Sequence, residues 1–75
     1  MKKYLCMVKK GGEQSLFSEV IEAEYAEAAL QLFFGHNRAK LRAEGAPTWF
    51  GTPLRLENDI AIFENGSWHF SAKLS

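Results

Sequence analysis

Asn65-Gly66 separates two stretches in which apolar and polar residues alternate, 60–64 and 67–73, and it constrains this chain more than any other feature. Both central positions of a type I′ turn take positive φ, which Asn and Gly tolerate, so the pair predicts a two-residue β-hairpin. Such a turn pairs Glu64 with Ser67 and sets Phe63 opposite Trp68 and Ala61 opposite Phe70. Alternation sorts the side chains into two faces. Ala61, Phe63, Trp68, Phe70, Ala72 and Leu74 share one, expected to be the helix-packing core, and Ile60, Ile62, His69, Ser71 and Lys73 share the other.

Leu54–Glu57 reads as a further strand ahead of a turn at Asn58-Asp59. Residues 3–9 carry Tyr4, Cys6 and Val8 on one side and Leu5 and Met7 on the other, the pattern of a central strand. A polar loop with paired glycines, Gly11 and Gly12, leads at hairpin distance into a second strand over 16–23, so the first two strands are expected to be antiparallel neighbours. Between the two β blocks the period changes. Ala26, Ala29, Leu30, Phe33, Asn37 and Leu41 fall at helical spacing. Glu22, Glu24 and Glu27 cluster at the start of this segment and Arg38, Lys40 and Arg42 at its end, the charge order that opposes the helix macrodipole. We expect one helix over 25–44 with a kink near Gly35; the alternative is a stop at Gly35, with Asn37 capping a second short helix. The expected fold is α+β, described as ββαββ: an antiparallel sheet with one main helix packed on one face, in a single domain over residues 1–75.

Seventy-five residues hold one small globular domain. At 47% hydrophobic, with nine Lys+Arg balancing nine Asp+Glu, the chain is too apolar and too neutral to stay disordered. Its six Phe, two Tyr and two Trp read as an adaptation to a thin core, to which Phe33, Phe63, Trp68 and Phe70 are assigned. The single Cys6 sits in an apolar run and has no partner for an internal disulfide, which points to a reducing cytosol. Only five apolar residues separate Lys3 from Lys9, too few for a signal-peptide core or a membrane span. A pI near 6.7 disfavours a dedicated nucleic-acid binder, which needs a positive face for phosphate.

Candidate sites are few. Arg38 and Arg42, four apart, share one helix face while Lys40 points elsewhere, so the three form either a solvated helix end or a basic contact patch. Trp49 and Phe50, in a loop between Pro47 and Pro53, either lid the open end of the core or project as aromatic anchors. Ile60 and Ile62 either pack against a neighbouring element or leave an apolar patch for a partner. His36 and His69 have no Cys or carboxylate at metal-ligand spacing, and no nucleophile elbow or phosphate loop is present, so we expect no metal, no cofactor and no enzyme.

The opening Met1-Lys2-Lys3-Tyr4 strand, the Glu22-Ala23-Glu24 entry into an Ala-rich helix, the Leu54-Arg55-Leu56-Glu57 strand and the Trp-containing terminal hairpin together resemble small phage-encoded anti-CRISPR proteins. The resemblance covers most of the chain as a pattern of elements. It implies a phage or prophage origin and a non-enzymatic inhibitor that sterically blocks a CRISPR surveillance complex in the cytoplasm of a bacterial host. The expected contact residues are Arg38, Lys40, Arg42, Trp49 and Phe50. The alternative is a small nucleic-acid-binding or regulatory protein that uses the basic helix end.

Overall fold

The first strand is paired along both edges, the central place that its apolar pattern predicts. The structure, a computed structural model, describes residues 1–12, 15–48, 54–57 and 59–75, with the backbone alone at 54 and 57. Along the chain come β1 (Lys2–Lys10), β2 (Ser15–Ala23), the helices α1 (Ala26–His36) and α2 (Arg38–Ala43), then β3 (Leu54–Glu57), β4 (Ile60–Asn65) and β5 (Trp68–Leu74). The strands form one sheet in the order β2-β1-β5-β4-β3, every neighbouring pair antiparallel. The fold is α+β with the main helix on one face, as the periodicity predicts. Leu54–Glu57 pairs fully with β4, so three strands follow the helices where the ββαββ description counts two.

The terminal hairpin forms with its turn one residue later than Asn65-Gly66. Asn65 pairs with Trp68, and the two-residue loop is Gly66-Ser67. Gly66 supplies the positive φ, 62°, at the first turn position, where a type II′ turn takes glycine. Phe63 therefore faces Phe70, not Trp68, and Ala61 faces Ala72, not Phe70. Each partner moves by two residues, so the parity of the alternation survives and both faces keep their expected members. Large packs beside large and small beside small. Asp59, with φ of 60°, turns the β3–β4 connection, a conformation that Asp tolerates better than most residues.

Every position of the helical period is buried: Ala26, Ala29, Leu30, Phe33, Asn37 and Leu41. The helix is nevertheless not continuous over 25–44. Gly35 lies inside α1, and the break falls at Asn37, whose backbone (φ −115°, ψ 19°) leaves the helical region. Asn37 Nδ2 donates to the Phe33 carbonyl at 2.9 Å, beside the backbone N–H that bonds the same oxygen at 3.1 Å. A side chain that competes for its own helix's carbonyls in this way bends or ends the helix. Because Leu41 N–H still bonds the Asn37 carbonyl at 2.9 Å, the buried face carries through the break into α2.

Phe34 is also buried, which the one-stripe reading omits, and it forms the centre of the aromatic core. Its ring lies 4.4 Å from Phe70 and 6.0 Å from Phe63, with Phe63 and Phe70 5.9 Å apart. Trp68 is only half-buried at the rim of this cluster, with Lys10 Nζ 5.5 Å from its ring. Tyr4 is fully buried in the same core, and its hydroxyl has no hydrogen-bond partner among the described residues.

Two substitutions of opposite sense test this packing in urea unfolding. Phe34→Ala is expected to cost about 3–5 kcal/mol, as for other buried Phe truncations. Tyr4→Phe removes an unpaired buried hydroxyl and is expected to leave the midpoint unchanged or raise it; a loss above about 1 kcal/mol would show that the hydroxyl is bonded in solution.

Candidate functional site

Pairing of β1 with both β2 and β5 assembles a second surface on the side of the sheet away from the helices. Cross-strand register places Val20, Leu5, Lys73 and Ile60 in one row, and Ser18, Met7, Ser71, Ile62 and Arg55 in the next. Lys9, His69 and Glu64 form the following row. Leu5, Met7, Ile60 and Ile62 are half-buried, and Val20 is 55% exposed. No described residue covers this apolar strip. Ile60 and Ile62 thus share one face of the sheet with the β1 side chains Leu5 and Met7.

The strip holds an open depression of about 340 Å³, lined among others by Met7, Ile62, Ser71, Lys9, His69 and Lys73. Its end is shaped by the β1–β2 turn, where Gly11, at φ of 64°, donates its N–H to the Ser67 carbonyl of the β4–β5 turn. The charges around it are unequal in their engagement. Glu64 is held by Arg55 at 2.7 Å and by His69 Nδ1 at 2.8 Å. Lys9 and Lys73 pair with no described carboxylate.

Of the predicted contact residues, the three basic ones lie elsewhere. Arg38, Lys40 and Arg42 are all exposed on α2, on the helix side of the sheet. Lys40 Nζ sits 5.5 Å from the ring of Phe17, and Arg38 and Arg42 pair with no described carboxylate. Trp49 and Phe50 lie outside the described residues. The apolar strip and its lysines are absent from the predicted site, although Leu5 and Met7 on the second face of β1, and Ile60 and Ile62 on the second face of the hairpin, were each visible. Uniting them requires the β1–β5 pairing, which joins the two ends of the chain.

A polar junction ties the helix break to the edge strand β2. Asn37, 7% exposed, donates one Nδ2 hydrogen to Glu19 Oε1 at 2.9 Å and the other to the Phe33 carbonyl, and His36 Nδ1 lies 3.1 Å from Glu19 Oε2. The Asn37 hydrogen bond, with help from His36 and Lys40, holds the Glu19 carboxyl below its usual 4.5 against the opposing effect of partial burial. Across the strand from Glu19, the Cys6 thiol is buried against the Ala29 carbonyl, Sγ to O 3.7 Å. Burial, reinforced by the Glu19 charge, pushes it up to about 12. It is a packing group, not a nucleophile.

The described residues contain no group of three or more His, Cys, Asp or Glu able to hold a metal ion, and no helix long and apolar enough to cross a membrane. No protein-family model, curated protein or solved structure matches the chain.

Glu19 gives the acid limb a definite sign. A carboxylate held below its ordinary value in the folded state stabilises above the unfolded value and loses that contribution as the pH falls through the folded one. Glu19→Gln is therefore expected to flatten the fall in stability below about pH 4.5, at a cost near neutral pH under about 1 kcal/mol because the carboxylate is more than a third exposed. Denaturant midpoints between neutral pH and pH 3 measure both effects, and parallel acid limbs for the two proteins would show that the junction does not hold in solution.

Proposed function

We propose that the chain is a binding protein that docks a protein partner on the open face of its sheet. The observation that carries this reading is the strip of Leu5, Met7, Val20, Ile60 and Ile62 on a face that the described residues leave without a covering layer. In an antiparallel sheet with one packed face, the solvated face ordinarily carries polar side chains. A contiguous apolar strip rimmed by charge is the composition of a surface completed by another molecule.

The groups that could do chemistry are otherwise engaged: the Cys6 thiol is buried and protonated, and the imidazoles of His36 and His69 are tied to Glu19 and Glu64. The resemblance to small phage-encoded anti-CRISPR proteins supplies the specific partner in this proposal, a CRISPR surveillance complex of a bacterial host, inhibited by occupation of its surface in the host cytoplasm. Arg38 and Arg42, exposed on the opposite side of the sheet and paired with no described carboxylate, are the competing surface, suited to an acidic protein or to a nucleic-acid backbone.

Separate variants of the two faces decide between them. Ile62→Asp, or Ile62→Ser should the aspartate variant not fold, is expected to weaken capture of a purified CRISPR surveillance complex by tenfold or more, while the Arg38→Glu, Arg42→Glu double variant retains it. The same comparison applies to any protein recovered from a bacterial lysate and identified by mass spectrometry. The reverse pattern assigns the site to the helix end. Binding of DNA that collapses with salt, with no protein captured, overturns the reading altogether.

A further inference from the structure

The open face also carries information about what it would hold. Resting on the binding role proposed above, we infer that its occupant is an extended acidic protein segment in which two carboxylates flank an apolar side chain at alternate positions.

The inference starts from the spacing of the rows. Lys73 lies beside Leu5 in one row, Ser71 and Met7 beside Ile62 in the next, and Lys9 beside His69 in the third. Lys73 and His69 are four residues apart on one strand, and so are Leu5 and Lys9, which separates the two cationic rows by about 13 Å at the rise of a β-strand. An extended peptide has the same rise and projects every second side chain to one side. Residues i and i+4 of such a segment therefore reach the two rows, while residue i+2 falls over Met7 and Ile62, the floor of the depression.

Charge sets the sign of the flanking residues. The one described carboxylate in these central rows, Glu64, is already shared between Arg55 and His69, so among the described residues Lys9 and Lys73 are the unneutralised charges at the two ends of the depression. Their match is a pair of anions, and the aliphatic and thioether floor between them matches a Leu- or Met-sized side chain. A single-stranded nucleic acid fits this surface less well. Its bases bind by stacking on aromatic rings, and the described residues place no Phe, Tyr or Trp side chain on this face.

The test is a titration of the ¹⁵N-labelled full chain with the peptide acetyl-Ser-Glu-Ser-Leu-Ser-Glu-Ser-amide, read by amide chemical shifts. The proposal expects saturable shifts confined to the neighbourhood of Met7, Lys9, Ile62, Ser71 and Lys73. It also expects roughly tenfold weaker binding for a Lys9→Glu, Lys73→Glu variant whose spectrum is otherwise unchanged, and a comparable loss when both peptide glutamates are replaced by glutamine, since two screened charge pairs are removed in each case. Absence of shifts at this face, equal binding of the glutamine peptide, or preferential binding of a short oligothymidylate at the same residues would each overturn it. If the peptide fails while Ile62→Asp still abolishes capture of the protein partner, this inference falls and the binding role stands; if capture too is indifferent to Ile62, both fall.

Discussion

Residues 24–53 form the longest connection between strands, and they join β2 to β3, the two opposite edges of the sheet. A segment that must travel from one edge to the other has to pass over a face. Five strands at their usual spacing are about 19 Å wide, and a helix of eleven residues such as α1 is about 16 Å long. One helix thus covers most of the crossing, packing against β1, β2, β4 and β5 on the way. The other connections, at 11–14, 58–59 and 66–67, are too short to reach across. Among the described residues one face is covered and the other is not, and the core and the candidate site both follow from that asymmetry.

The covered face must then gather nearly all the burial that a small domain needs. It does so with rings and small residues together. Phe33 and Phe34, adjacent in α1, are both buried because a helix lying flat on a sheet buries a wider arc than a single stripe. Phe34 reaches Phe63 and Phe70 on the hairpin, while Phe33 meets Phe17 on β2. The Asn37–Glu19 hydrogen bond fastens the far end of α1 to β2, the strand from which the crossing departs. That bond places a buried polar group at the point where the helix breaks, so the same side chain satisfies the edge strand and ends the helix.

Much of this was legible in the sequence, and the misses share a cause. Alternation assigned both faces of the hairpin correctly, placed β1 centrally, and put Asn37 in the buried helical period despite its polarity. The turn slipped by one residue because Asn65-Gly66 and Gly66-Ser67 both satisfy local turn chemistry; the pairing of Phe63 with Phe70 accompanies the second. The alternative reading, a second short helix starting from Asn37, matches α2, but with Gly35 inside α1 and the Asn37 side chain bonded to Phe33 and to Glu19, 18 residues away, an acceptor that no local propensity contains. The open-face site depends on β1 lying beside β5, a pairing between the ends of the chain. The helical spacing of Arg38, Lys40 and Arg42 did anticipate that Lys40 would part company with the two arginines, and it stacks over Phe17. What was missed outright, the Glu19 acceptor and the union of the open face, is non-local.

The balanced total of nine cations and nine anions hides how differently those charges are used. Glu22, Glu24 and Glu27 gather near the start of α1 and Arg38 and Arg42 on α2, whereas on the open face Glu64 is neutralised by its neighbours and, among the described residues, Lys9 and Lys73 remain beside the depression. At physiological ionic strength the screening length is about 8 Å, shorter than the separation of about 13 Å between the two lysine rows. The lysines therefore act as two independent points, not as one positive field. Two screened surface cations supply little affinity by themselves. On such a face the binding energy has to come from the apolar strip between them, and the lysines set the orientation and register of whatever is bound there.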